Sequence, residues 1–99
     1  MHVLQIYIDV LPGKEKELEQ TFRTVFIPAI SVQKGFRWVE MLHPNNSMTS
    51  YQINLSFESE DLRLQWVASS EHQHAFPKIV ALCQRMSWQG FDVVSERKL

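Results

Sequence analysis

Residues 51–58, YQINLSFE, alternate without a break: Tyr51, Ile53, Leu55 and Phe57 against Gln52, Asn54, Ser56 and Glu58. A period of two belongs to a strand with one face on a core, and no helix can use it. The stretch 2–10, HVLQIYIDV, reads the same way, with Leu4, Ile6, Ile8 and Val10 opposite Val3, Gln5, Tyr7 and Asp9. Pro12-Gly13 marks a turn. From Lys14 to Ser31 the period changes. Leu18, Phe22, Val25, Phe26, Ala29 and Ile30 form one helical stripe. Glu19 and Arg23 are spaced for an i,i+4 pair. Pro28 removes an amide donor within this pattern and predicts a kink or a loosened last turn.

Gly35 ends the connection, and 36–43, FRWVEMLH, reads as a second strand, with Phe36, Trp38, Glu40 and Leu42 on one face and Arg37, Val39, Met41 and His43 on the other. Pro44-Asn45-Asn46-Ser47 is a polar turn. After the 51–58 strand, Ser59 is placed to cap a helix with Glu60 and Asp61 in its first turn. Leu62, Trp66 and Ser69 are its inward positions. A break and restart fall at Ser69–Gln73, where Ser70 and Gln73 have capping-box spacing. Pro77 is expected near the start of a helical stretch carrying Phe76, Ile79, Val80 and Cys83. A last strand is expected over about Ser87–Val94, interrupted by Gly90, with a tail over 96–99.

The order β-α-β-β-α-β predicts an α+β, ferredoxin-like domain: a four-stranded antiparallel sheet with helices on one face. At 99 residues a second core is excluded, so one domain over 2–95 is expected. In such a layer the uncovered face should be polar. Here the second strand is apolar on both sides, and the first opposes Leu4, Ile6 and Ile8 with Val3 and Tyr7. A homodimer joined through its sheets is therefore expected.

Charge and cysteine content exclude other classes. A formal net charge of -1, with no Lys/Arg run beyond Arg97-Lys98, argues against a nucleic-acid partner. One cysteine, Cys83, excludes an internal disulfide and a multi-cysteine zinc site. His72 and His74, two residues apart, do not share a helix face, so no metal is expected. No apolar run approaches a membrane span, and Met1-His2-Val3 lacks the marks of a leader, so a cytoplasmic protein with no membrane partner is expected. No nucleophile elbow or glycine-rich phosphate loop is present.

Two segments carry a resemblance over about residues 2–95. They are PGKEKELEQTFRTVFIPAISVQKGFRWVEML and YQINLSFESEDLRLQWVASSEHQHAF. The pattern of a strand, P-G-K, a helix and G-F-R at a strand start, followed by F-E-S-E and W-V-A-S-S-E-H, resembles the antibiotic biosynthesis monooxygenase superfamily. That resemblance implies a homodimeric α+β barrel and a pocket in each subunit between sheet and helices. It also implies one of several chemistries. Some members oxidise polycyclic phenols with molecular oxygen and no cofactor, some degrade haem, and some isomerise a phosphorylated signalling sugar derivative. The haem-degrading pattern requires an Asn on the first strand, a Trp on the second helix and a His ten residues later. Trp66 matches. Ile6 or Tyr7 stands in place of the Asn, and Phe76 in place of the His, so haem degradation is rejected. His72 keeps the isomerase branch as an alternative.

Cofactor-free oxygenation requires loss of a substrate proton, fixed donors for the resulting anion and shelter from water. Trp66 is the candidate donor through its indole N–H, with a plain core role as the alternative. His72 is the candidate base near neutral pH, with a solvated first-turn position as the alternative. Asn54, on the polar side of its strand, either binds a ligand or faces solvent or a partner chain. Tyr7 and Tyr51 can donate phenolic O–H groups or simply pack. Phe22, Phe26, Trp38 and Phe57 are candidate apolar walls. Arg37 is read as holding an anionic group or an interface carboxylate. Cys83 is read as inert, and His2 and His43 as surface residues. The resulting expectation is a cofactor-independent monooxygenase on a small aromatic or quinone-forming substrate. The alternatives are an isomerase or lyase on a small carbonyl compound, and a non-catalytic, stress-associated binding homodimer.

Overall fold

The computed structural model describes residues 1–46 and 50–98. Strand β1 (His2–Val10) buries every second residue, as its alternation requires. It lies centrally, antiparallel to both β3 (Ser50–Phe57) and β4 (Cys83–Asp92), and β2 (Phe36–Leu42) completes the order β2-β3-β1-β4. This is the antiparallel ferredoxin-like sheet, with the helices on one face. The core between the layers is built from Leu4, Ile6 and Ile8 of β1, Tyr51, Ile53, Leu55 and Phe57 of β3, and the apolar sides of the helices. Only part of the 44–47 turn expected from the sequence can be placed, because Ser47 lies outside the described residues.

The first helical region runs as α1 (Glu15–Thr21), a π-helical turn (Phe22–Phe26) and α2 (Ile27–Ser31). Leu18, Phe22, Phe26 and Ile30 are its buried residues, spaced by four. On an ordinary α-helix that spacing drifts by about 40° per step. The π turn, in which the Ile27 amide donates to the Phe22 carbonyl, takes up an extra residue and keeps the row facing the sheet. Pro28 falls just after the turn. Of the expected kink or loosened last turn, the structure shows the π turn on the N-terminal side, and Pro28 itself sits in the first turn of α2, where a missing amide donor is tolerated.

Strand β2 departs from simple alternation. Phe36 pairs with Phe57, and Trp38 with Ser56, so a bulge at Arg37 shifts the register. Phe36 thereby joins Val39 and Met41 against the core, not Trp38 and Leu42. The open face is accordingly more polar than expected. Asn54 and Ser56 are buried on it within this single chain.

The C-terminal residues explain part of that burial. The Val93 amide donates to the Met1 carbonyl at 2.9 Å. Arg37 pairs with Glu96 and donates to Ser56 Oγ, and the Lys98 ammonium lies 5.7 Å from the Trp38 ring centroid. Residues 93–98 are thus a strap that reaches Arg37 and Trp38 on β2, not a loose tail. The Trp38 indole N–H and the Asn54 Oδ1 are sealed without a hydrogen-bond partner among the described residues. Removing residues 95–99 in a Trp88→Phe background should raise acrylamide quenching of tryptophan fluorescence, because Trp38 loses its cover. Unchanged quenching would show that the strap does not hold in solution.

Three further boundaries differ from the sequence reading. Ser69, not Ser70, caps α4 (Ser70–Val80), Pro77 lies inside that helix, and β4 begins four residues early, at Cys83. The Cys83 thiol donates to the Ile79 carbonyl, and burial pushes its pKa up to about 11, which keeps it protonated and inert.

Candidate functional site

Helix α3 (Glu60–Ala68) begins at Ser59, whose hydroxyl accepts from the Leu62 amide. Near the end of α3, Trp66 is buried against the sheet. Ser69 then stops the helix in an extended conformation and starts α4. Its hydroxyl donates to the Trp66 carbonyl at 2.7 Å and accepts from the His72 amide at 3.2 Å. One serine therefore ties together the backbones of the two residues whose rings meet. The His72 ring stands edge-on to Trp66, with centroids 4.8 Å apart, and stacks on Phe76 at 4.8 Å. Trp66 meets Phe26 edge-on, and Phe26 stacks on Phe22, so five rings run in series from the first helical region to the last.

All of this row but Phe22 borders a cavity of about 360 Å³ between the helices and the β1/β3/β4 side of the sheet. Trp66, His72, Phe26, Phe76 and Trp88 supply aromatic surface. Leu4, Ile6, Leu55, Leu64 and Val67 supply aliphatic surface, and Arg63 supplies the one charged group among its lining residues. Such a space, apolar with few polar groups, suits a small aromatic molecule. The Trp66 N–H has no hydrogen-bond partner among the described residues and, unlike that of Trp38, is not sealed.

Burial lowers the His72 pKa below its ordinary value of 6.5. The imidazole is therefore neutral at pH 7 and able to accept a proton. His2, expected at the surface, is buried. Its pKa is also lowered, first by burial and then by the Arg63 guanidinium. Both rings bind protons less readily in the folded chain than in the unfolded one. Stability should be undiminished above about pH 6.5 and fall as the pH drops through that value towards the depressed ones. Melting followed from about pH 7.5 to about pH 5 should show a falling Tm, and His72→Gln should flatten part of the slope. A Tm that rises with acidification would contradict the burial of both rings.

The other candidate residues separate. Asn54 lies on the opposite face of the sheet, where its amide donates to Glu40 Oε2 at 3.0 Å, so it does not join Trp66 and His72. The cause is the alternation itself, since Asn54 lies between Ile53 and Leu55, which face the core. Tyr7 is on that same far face and donates to Gln5, and Trp38 is held there by the bulge. Phe57 is fully buried against Phe36 and is core, not cavity wall. Tyr51 and Phe22 border a separate hollow of about 170 Å³ with Glu19, Arg23, Met41 and His43. There the Tyr51 hydroxyl donates to Glu19 Oε2 at 2.6 Å, and burial followed by Glu19 raises its pKa. Tyr51 is thus kept a neutral donor committed to the protein. His43 is exposed, as expected, and stands edge-on to Tyr51.

Sequence reasoning missed Arg63, Leu64, Val67, Phe76 and Trp88 as cavity residues. Arg63 and Trp66, three apart on one helix, carry a usable signal. Trp88 carries none, because nothing in the pattern of its strand says which face meets the helices. Among the described residues no helix is long and apolar enough to cross a membrane, and no cluster of His, Cys, Asp and Glu is arranged to hold a metal.

Comparison with solved structures places this geometry among known folds. SnoaB from Streptomyces nogalater, a cofactor-independent oxygenase solved as a point mutant, superposes with a TM-score of 0.82 at 17% identity. The match covers 96% of this chain and 95% of that one. A point mutant of MhuD with two manganese protoporphyrin IX molecules bound per active site gives 0.82 at 24% identity, covering 99% of each chain. A conserved protein from Methanosarcina mazei gives 0.79 at 11% identity, covering 92% of this chain and 91% of that one. At these identities the likeness is one of fold. No curated protein sequence matches. The sequence pattern that defines antibiotic biosynthesis monooxygenases matches residues 1–78, which include α1, α2, α3 and the Trp66–His72–Phe76 row. With more than three quarters of its length under that pattern and the fold agreeing, the chain belongs to the antibiotic biosynthesis monooxygenase family.

Proposed function

We propose that the protein is a cofactor-independent monooxygenase that converts a small aromatic substrate to a quinone. The observation that carries this reading is a neutral His72 beside Trp66 in an aromatic-walled cavity. The family assignment and the cofactor-independent oxygenase among the structural neighbours support it.

His72 takes a proton from an acidified ring CH₂ or phenol, and the electron-rich anion that forms is the reductant for molecular oxygen. The Trp66 N–H donates to the developing oxyanion. Carbon–oxygen bond formation gives a hydroperoxide. Loss of water, with cleavage of the second C–H bond, leaves a carbonyl. The sum is CH₂ + O₂ → C=O + H₂O, so one oxygen atom enters the product and the substrate supplies all the electrons. Apolar walls limit the water that reaches the intermediate, and the exposed Leu64 and Trp88 mark the mouth. The open sheet face is assigned to a second copy of a cytoplasmic homodimer, which packs around the 93–98 strap.

Purified protein incubated with an anthrone should take up one O₂ per anthraquinone formed, at a rate above the uncatalysed one. Uptake at the background rate across several anthrones and naphthols would remove the oxygenase reading and leave the isomerase, lyase and binding alternatives.

A further inference from the structure

The cavity is apolar apart from one cation. The Arg63 side chain is only 14% exposed, and among the described residues no Asp or Glu lines the cavity. Its ion-pair partner, Glu60, is itself 61% exposed and 3.8 Å away, beyond hydrogen-bond reach. The guanidinium Nε donates to His2 Nε2 at 2.9 Å. The terminal nitrogens make no hydrogen bond among the described residues, yet they are not sealed. A guanidinium withdrawn from water with its fork unused is matched to a planar oxyanion, which it can grip with two parallel bonds.

The support behind Arg63 is built, not incidental. His2 sits on the helix side of β1, buried, opposite the end of β4. Its ring passes over Gly90, where an added Cβ would lie 3.2 Å from the His2 Cε1. Because Nε2 accepts from Arg63, the ring proton resides on Nδ1, which is buried without a partner among the described residues. A neutral His2 orients the arginine through Nε without neutralising it and leaves both terminal nitrogens without a hydrogen bond among the described residues, Glu60 reaching one of them only as an ion pair at 3.8 Å. Glycine in the middle of a strand weakens it, and here the missing side chain makes room for that ring.

We infer that Arg63 is the anion-recognition residue of this cavity and that the substrate is an aromatic carboxylate, its ring among Trp66, His72 and Phe76 and its carboxylate on the guanidinium. His2 and Gly90 are positioning residues for Arg63. The inference rests on the cavity being the substrate site of the proposed oxygenase, but binding tests it separately from turnover.

The test is titration of the full chain with a matched pair, 1-hydroxy-2-naphthoate and 1-naphthol, by calorimetry without following oxygen. The acid should bind about tenfold or more tightly than the neutral phenol, as charge-assisted bidentate contacts require. Arg63→Met should erase that preference, so that acid and phenol bind this variant alike. Gly90→Val, which crowds His2, should reduce the ratio of acid to phenol affinity several-fold. Equal affinity for acid and phenol in the native chain would overturn the inference, as would a preference that survives Arg63→Met. If Arg63→Met fails to fold, Arg63→Lys serves. It keeps the charge but not the fork, and an undiminished preference there would overturn bidentate recognition. A chain that prefers the acid but takes up no oxygen keeps this assignment and loses the oxygenase reading. Oxygen uptake with no acid preference does the reverse.

Discussion

Gly35→Ala should destabilise the fold by about 2–4 kcal/mol, combining left-handed backbone strain with overpacking. Gly35 has φ +80°, and a Cβ there would lie 2.5 Å from Leu62 Cδ1 and 3.1 Å from Leu62 Cβ. The tip of a leucine can rotate away, but its Cβ moves only with helix α3. The loop cannot swing clear either, since the Gly35 carbonyl accepts from the Glu58 amide at 2.9 Å. For a domain of this size the loss corresponds to roughly 10–20 °C in Tm. Gly13→Ala is the internal control. Its φ is also positive, at +82°, but nothing lies within 4 Å of the new Cβ. Only the backbone cost of about 1–2 kcal/mol remains there. Leu62→Ala makes room for the new methyl group, so a double-mutant cycle between the two positions should show coupling, with the pair costing less than the sum of the single changes. Equal Tm losses at Gly13 and Gly35 would show that the contact with α3 is looser than described.

His72→Ala should lower oxygen uptake on an anthrone by roughly 10²–10⁴-fold, the span of a positioned general base. The ring also packs between Trp66 and Phe76, so alanine alone confounds chemistry with lost stacking. His72→Phe preserves the aromatic row and removes only the base, and it should lose activity by a similar factor with little change in Tm. In the native protein the rate should rise with pH through a value below 6.5 and be flat at neutrality, because the neutral imidazole is the active form and burial depresses its pKa. An inflection above 6.5, or full activity in His72→Phe, would remove His72 from the mechanism.

Much of this is legible in the chain because strands and helices write their periods into it. Tyr51, Ile53, Leu55 and Phe57 alternate and are all buried. Leu18, Phe22, Phe26 and Ile30 recur by fours and form the helical stripe. Trp66 and His72 are separate candidates in the sequence, and their ring contact depends on Ser69 capping the second helix, one residue before the position that the spacing suggests. Other features turn on single residues that carry no periodic signature. The bulge at Arg37 moves Phe36 to the core and leaves Trp38 on the far face. Asn54 does lie on the polar side of its strand, as the alternation says, yet that side is remote from the cavity.

The amino-acid order by itself determined the layered α+β architecture, the apolar faces and the aromatic character of the interior, since these depend on hydrophobic spacing along neighbouring residues. Only the tertiary structure decided which polar groups share a space. Arg63 and His2 are 61 positions apart and meet across the helix–sheet interface, Trp88 reaches the same cavity from the opposite end of the chain, and residues 93–98 return to strand β2. Contacts of that kind arise from strand register and layer packing, which single residues set and local pattern does not encode.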